Sequence, residues 1–200
     1  MKFLSKHNGS EILQQKIVYS LTNKDRNKKL RLLLVIEQKG FCAYTEKFID
    51  PIDSVEVEHF NAALKPDDNY YNYYATLRQA NAYKKDMTFA GASFFTSLFF
   101  HNRQLFDSRI IYVDGMYVNV NPEDEEAQQL IDFLRFNHAD LSSQRKAHIE
   151  RLRDYLSVAG ISFENKEAIR EFLTPVERRY LLSYITAIEK EFDIHLEDLL

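Results

Sequence analysis

Short strand-like segments interrupt a chain whose apolar residues otherwise recur at helical spacing. Up to residue 40 the pattern predicts two helices: one after Ser10 and one over about residues 25–38, which Gly40 would end as a C-cap. Residues 41–44 and 55–59 are rich in aromatic and β-branched side chains, a composition typical of strands. Residues 72–85 then return to helical spacing. The order predicts a ββα unit that follows two helices.

The second half of the chain is predicted to be a hairpin followed by helices. Asp114-Gly115 lies between two strand-like segments and is a strong signal for a tight hairpin turn. Helices are predicted over 121–136 and 141–156, and a capping box at Thr174 predicts another to about residue 192. The predicted fold class is α+β, mostly α. Its parts are N-terminal helices over 1–40, a ββα core over 41–85, and a hairpin with helices over 86–200 that packs with the core as one unit.

Charge and cysteine content restrict the compartment and the class of partner. The formal net charge is −4, and Cys42 is the only cysteine among 200 residues. A single cysteine excludes an intrachain disulfide framework, so a reducing cytoplasm is the expected location. The longest apolar stretch, over 89–100, contains glycine, serine and threonine, which predicts buried core and no membrane association. The acidic balance argues against nucleic acid, but Lys24, Arg26, Lys28, Lys29 and Arg31 concentrate positive charge in one segment.

The residues with the clearest chemistry are Glu58 and His59 at the end of a predicted strand, followed by Asn72 and Asn81. Hydrolysis of a phosphodiester needs a base for water and a cation that neutralises charge in the transition state. An imidazole has an unperturbed pKa near ~6.5, which suits His59 to the first task. Carboxylate and amide oxygens are typical ligands of hard cations such as Mg²⁺, which suits Glu58 and Asn81 to the second.

These residues resemble the core of the HNH (ββα-metal) endonucleases. The resemblance implies that Glu58 and Asn81 bind Mg²⁺ or Mn²⁺, that His59 is the general base, and that Asn72 braces the loop and fixes the histidine. It makes Lys84 a candidate for phosphate contact, and Arg78 and Lys85 are further candidates for binding nucleic acid.

The segments around Cys42, Glu58 and Asn81 are most similar to one subgroup, the HNH subunits of Septu-type and retron-associated anti-phage systems. The resemblance is sharp over residues 41–85. It implies cleavage of nucleic acid, with DNA as the expected polymer, under the control of an ABC/SMC-type ATPase partner.

The subgroup's zinc knuckle is missing from this chain. Of the four expected cysteine positions only Cys42 is kept, and Thr45, Leu77 and Ala80 occupy the others. One thiolate cannot make a tetrahedral zinc site, so we expect no structural zinc and predict that apolar packing has replaced it.

Other interpretations of the same residues remain open. A Glu-His pair at a strand end and isolated asparagines are by themselves ordinary surface or capping residues. The chain could be an inactive HNH-like scaffold that serves assembly, or a nuclease that cleaves RNA or tRNA, since both polymers carry the same phosphate. A second basic segment, Arg145, Lys146, Arg151 and Arg153, is either a solvated helix face or a phosphate contact.

Overall fold

The protein is a mixed α+β fold with two small antiparallel sheets. The computed structural model describes residues 1–65, 68–85 and 97–200, without the side chain of Lys85. The apolar stretch predicted to be core therefore lies largely outside the described residues, although Phe99 and Phe100 at its end are buried. The α-helices in the described residues are α1 Glu11–Gln14, α2 Lys24–Glu37, α3 Arg78–Lys85, α4 Arg103–Arg109, α5 Glu125–Phe133, α6 Ala139–Val158, α7 Lys166–Leu173 and α8 Ile185–Glu191. The strands are β1 Val55–His59, β2 Tyr73–Leu77, β3 Ile110–Val113 and β4 Met116–Asn119.

A ββα unit is present, but its strands are not the two predicted. The strand over 55–59 is confirmed as β1, and it pairs antiparallel with β2, with His59 opposite Tyr73. The prediction of a helix over 72–85 was wrong in its first part, because the helix begins only at Arg78. The prediction of a strand over 41–44 was also wrong, since Phe41 makes only an isolated bridge with Phe48. Every residue of β2 is buried, and this burial overrides the local helical spacing.

The two N-terminal helices are confirmed, and α2 packs against both strands of the ββα unit. Ser10 caps the short α1 by accepting a hydrogen bond from the Ile12 amide, as its position before the helix predicts. A separate apolar cluster lies between these helices and the sheet, formed by residues such as Ile12, Leu30, Leu34, Tyr73 and Ala75. This packing places α2 beside β1.

The side chain of Gln38, just after α2, extends the hydrogen bonding of β2. It donates to the carbonyl oxygens of Phe41 and Ala75 at 2.8 Å, and it accepts from the Ala75 amide at 2.8 Å. The buried backbone amide and carbonyl of Ala75, at the edge of β2, thus form hydrogen bonds with a side chain.

The C-terminal half contains the predicted hairpin, with Val113 opposite Met116. Gly115 has a φ of +84°, which a tight two-residue turn requires. The helix predicted over 141–156 is confirmed as α6. The helix predicted over 121–136 begins later, at Glu125, because Asp124 caps it by accepting from the Ala127 amide.

The capping box predicted at Thr174 was wrong. The Thr174 hydroxyl donates to the Arg170 carbonyl oxygen, so this residue ends α7. The single helix predicted after it is divided into a 3₁₀ segment, Val176–Leu182, and α8. Tyr184, with a φ of +61°, separates the two.

The four positions compared above with the cysteines of a zinc knuckle are all buried: Cys42, Thr45, Leu77 and Ala80. Three of them belong to the main apolar cluster of the protein, and the Leu77 amide donates to Sγ of Cys42 at 3.3 Å. Apolar contact and one weak hydrogen bond hold these segments together. The replacement of a zinc ion by this packing stays a prediction.

No helix in the described part of the chain combines the length and the apolar character that crossing a bilayer requires.

Candidate functional site

A cavity of about 520 Å³ opens where β1 ends and α3 begins its first turns. Glu58 and His59 come from the last two positions of β1, whereas Asn81 and Lys84 come from α3. Both Glu58 and His59 line the cavity, although adjacent strand residues point to opposite faces and the His59 ring packs against Tyr19 and Tyr73. The ββα unit therefore places four of the predicted site residues around one opening.

His59 is fixed by a carboxylate that the sequence analysis missed. Nδ1 of His59 donates to Oδ2 of Asp68 at 2.5 Å, and both residues are buried. The imidazole ring lies edge-on to the rings of Tyr19 and Tyr73, with centroids 4.6 and 5.2 Å away. The other ring nitrogen, Nε2, is buried and has no hydrogen-bond partner among the described residues. With its proton on Nδ1, the ring has the lone pair of Nε2 as its acceptor.

Asn72 holds both the loop after β1 and the Asp68 carboxylate. Its Oδ1 accepts from the Asn61 amide at 2.8 Å, and its Nδ2 donates to the Asn61 carbonyl oxygen at 3.0 Å. Nδ2 of Asn72 also donates to Oδ2 of Asp68 at 2.7 Å. The Tyr73 hydroxyl donates to the other carboxylate oxygen of Asp68, Oδ1, at 2.9 Å. Asn72 is thus a positioning residue that acts on His59 through Asp68.

Burial and hydrogen bonding set the charge states of this pair. Burial lowers the pKa of His59 and outweighs the opposing effect of Asp68, so the imidazole is neutral at pH 7. Burial would raise the pKa of Asp68, but the hydrogen bonds from His59, Asn72 and Tyr73 lower it below its ordinary value. A neutral histidine is therefore bound to an ionised carboxylate.

Lys84 is paired with Glu58 inside the cavity. Its Nζ donates to Oε1 of Glu58 and, at 3.2 Å, to the His59 carbonyl oxygen. The ammonium also lies 4.9 Å from the centre of the Phe133 ring. Burial lowers the pKa of Lys84, and the adjacent Glu58 carboxylate opposes that effect. The lysine predicted to contact phosphate therefore neutralises the carboxylate predicted to bind metal.

Glu56 is a second acidic residue of the cavity, two positions before Glu58 on the same face of β1. Its Oε2 accepts from Nδ2 of Asn81 at 3.0 Å, and its Oε1 accepts from Nε of Arg78 at 2.8 Å. The Arg78 side chain is largely exposed at the rim of the cavity.

The donor atoms of this cavity suit a hard divalent cation. Two carboxylates, Glu56 and Glu58, and the amide oxygen of Asn81 are the ligand types that Mg²⁺ and Mn²⁺ accept. Among the described residues, no three histidine, cysteine, aspartate or glutamate side chains form a metal cluster. A cation here would use the amide oxygen and water in addition to the carboxylates, and it would compete with Lys84 for Glu58.

The structure brings most of the predicted site residues together. Glu58, His59, Asn81, Lys84 and Arg78 all line the cavity, and Asn72, which does not, is linked to His59 through Asp68. The side chain of Lys85 lies outside the described residues.

Sequence reasoning missed Glu56, Asp68 and Tyr19. The alternation of side chains along β1 could have shown Glu56, but no local pattern connects Asp68 or Tyr19 to His59.

The second predicted basic face is partly structural. Arg145 is buried, and its guanidinium donates to the carbonyl oxygens of Gly115 and Phe136 at 2.8 and 2.6 Å. The suggestion that Arg145 contacts phosphate was therefore wrong, because its donors already bind the backbone. Arg151 on the same helix is exposed.

Comparison with family models, with curated proteins and with solved structures finds no match for this chain. Membership of the HNH class stays a prediction that depends on the residues and on the geometry of the ββα unit.

Proposed function

We propose that this protein is a metal-dependent endonuclease of the HNH type that hydrolyses phosphodiester bonds in DNA. The observation that carries the proposal is the buried Asp68–His59 pair at the end of β1, beside a cavity lined by Glu56, Glu58 and Asn81. A fixed, neutral histidine next to oxygen donors is the combination that metal-assisted phosphodiester hydrolysis needs. A role in anti-phage defence with an ATPase partner follows from the resemblance alone and belongs to the same proposal.

In the proposed mechanism, His59 accepts the proton of the attacking water at Nε2, and because that atom is buried the ring or its neighbours must first shift to admit the water. Asp68 keeps the ring proton on Nδ1 and stabilises the imidazolium that forms, as a carboxylate does beside a catalytic histidine in other hydrolases. Asn72 keeps Asp68 and the loop after β1 in place. Glu56, Glu58 and Asn81 would hold Mg²⁺ or Mn²⁺, which supplies positive charge to the scissile phosphate and to the leaving oxygen.

The Glu58–Lys84 ion pair favours a second candidate, a scaffold without catalytic activity. A buried ammonium already neutralises Glu58, so this carboxylate has a counter-charge without a divalent cation. A protein that had lost its chemistry while keeping its fold would look the same at this point. The two candidates differ in whether the cavity binds metal and whether His59 is needed for cleavage.

The test is nicking of supercoiled plasmid by the full chain with Mg²⁺ or Mn²⁺, beside the variant His59→Ala. His195→Ala is a matched control, because it removes an exposed histidine far along the sequence from the cavity. We expect the wild type and His195→Ala to nick the plasmid and His59→Ala to lose roughly 10²–10⁴-fold in rate, the usual contribution of a general base. Equal activity in the wild type and in His59→Ala, prepared in parallel, would contradict the proposal. Cleavage of an RNA substrate in preference to the plasmid would replace DNA by RNA.

A further inference from the structure

A basic groove lies directly beside the candidate site, between α2 and β1. It has a volume of about 490 Å³, and its basic residues are Lys24, Lys28 and Arg31 from α2 and Arg78 from the start of α3. The spacing 24, 28, 31 places three cations on one face of α2. The groove and the candidate cavity share Glu56 and Arg78, so the two are continuous at this ion pair.

Three of the four cations of this groove, Lys24, Lys28 and Arg31, have no ion-pair partner among the described residues, whereas Arg78 is paired with Glu56. Within residues 1–65, 68–85 and 97–200, no carboxylate lies within ion-pair distance of Lys24, Lys28 or Arg31. Many other basic side chains do have such a partner, including the three pairs Arg109–Asp124, Arg153–Glu191 and Arg170–Asp198. In a chain of net charge −4, these three cations on one face of α2 form a local row of positive charge.

We propose that this groove binds the phosphate backbone of duplex DNA next to the phosphate that is cleaved. The inference rests on the proposed function and extends it by naming the surface that holds the substrate. Exposed lysine and arginine side chains at helical spacing can each contact a phosphate, and such contacts position a duplex without reading its sequence. The acidic residue of the groove, Glu56, is paired with Arg78 and so offsets little of the charge of α2.

The residues Lys28 and Lys29 allow a matched test. Both are exposed on α2, but a step of one residue turns the side chain by about 100° around the helix. Lys28 lines the groove and Lys29 does not. Replacing either by glutamine removes the same charge from the same helix, so a difference between the variants reports the groove and not the net charge.

The experiment measures binding of a fluorescent DNA duplex by anisotropy over a series of salt concentrations. It uses the full chain carrying His59→Ala, so that the substrate stays intact. For Lys28→Gln we expect the plot of log affinity against log salt concentration to become shallower, its negative slope losing about one unit of magnitude. We expect the affinity near 0.1 M salt to fall roughly tenfold. For Lys29→Gln we expect no change in slope and less than about a twofold change in affinity.

Equal effects of the two substitutions, or no binding of the duplex at low salt, would overturn the inference. Tighter binding of an RNA duplex of the same sequence would overturn the assignment to DNA. Because binding is measured without cleavage, the two proposals fail separately. A protein that binds through Lys28 but nicks no plasmid loses only the proposed activity, and one that nicks plasmid with equal Lys28 and Lys29 variants loses only the groove.

Discussion

Oδ2 of Asp68 lies 2.5 Å from Nδ1 of His59, and nine residues of chain separate the two. Since Asn72 and Tyr73 also donate to Asp68, the carboxylate is held from three sides. The imidazole therefore has one defined tautomer and one defined orientation. In the proposed nuclease this pair determines whether His59 can act as a base.

The first prediction concerns Asp68→Asn. Asparagine keeps the shape of the side chain but removes the charge that favours a proton on Nδ1, so His59 loses its defined tautomer. We expect plasmid nicking to fall roughly 10²–10⁴-fold.

The double variant with His59→Ala distinguishes positioning from general damage to the fold. Because Asp68 acts only through His59, we expect the double variant to be no slower than His59→Ala alone. A further loss of rate in the double variant would mean that Asp68 acts independently of the histidine.

The second prediction concerns Lys84→Met, which keeps the length of the side chain and removes the ammonium. Without metal, the Glu58 carboxylate is left largely buried and without its ammonium partner, so we expect the free energy of unfolding to fall by roughly 1–3 kcal/mol. With Mn²⁺, we expect a larger rise in Tm for this variant than for the wild type, because the cation no longer competes with Lys84.

Arg78→Met is the control for this experiment. Its pair with Glu56 is largely exposed, and such pairs contribute about 0–1 kcal/mol. If Mn²⁺ shifts the Tm of Lys84→Met no more than that of the wild type, Glu58 is not a metal ligand.

The third prediction compares two arginines of α6, Arg145 and Arg151. Arg145→Met removes the donor of the Phe136 carbonyl oxygen and leaves the Gly115 carbonyl oxygen with only the Ser142 hydroxyl, and we expect a loss of roughly 2–5 kcal/mol in the free energy of unfolding. Arg151→Met changes an exposed position, and we expect a change within about 0.5 kcal/mol. Urea unfolding monitored by circular dichroism measures both. Similar values for the two variants would contradict the structural role of Arg145.

The fourth prediction concerns pH and Asp124. The hydrogen bond from Arg109 lowers the pKa of Asp124 below its ordinary value. A lowered pKa in the folded state means that the stabilisation is present above the pKa of the unfolded chain, near ~4, and is lost as the pH falls through the folded value. Asp124→Asn keeps a good helix cap but removes the charge. We expect its Tm to fall less steeply than that of the wild type between about pH 5 and 2. Parallel curves for the two proteins would show that this carboxylate does not contribute to acid unfolding.

Local sequence patterns were sufficient for several elements. The β-branched composition of residues 55–59, the Asp114-Gly115 turn and the long amphipathic pattern of α6 predicted their structures correctly. These signals act between residues close in the chain, so they do not depend on the remainder of the fold. Glu58, His59 and Asn81, in contrast, were selected as a set by their resemblance to the HNH core and not by a local signal.

The tertiary structure decided the partners of those residues. Burial between two apolar clusters made residues 73–77 a strand in spite of their helical spacing, and that strand brought Tyr73 opposite His59. Asp68 reaches His59 and Lys84 reaches Glu58 only because the chain folds back over 9 and 26 residues. Contacts of this kind depend on how elements pack and leave no periodic trace in the sequence. Residue types alone therefore determined which chemical groups the chain offers, and packing determined which of these groups are paired, neutral or charged.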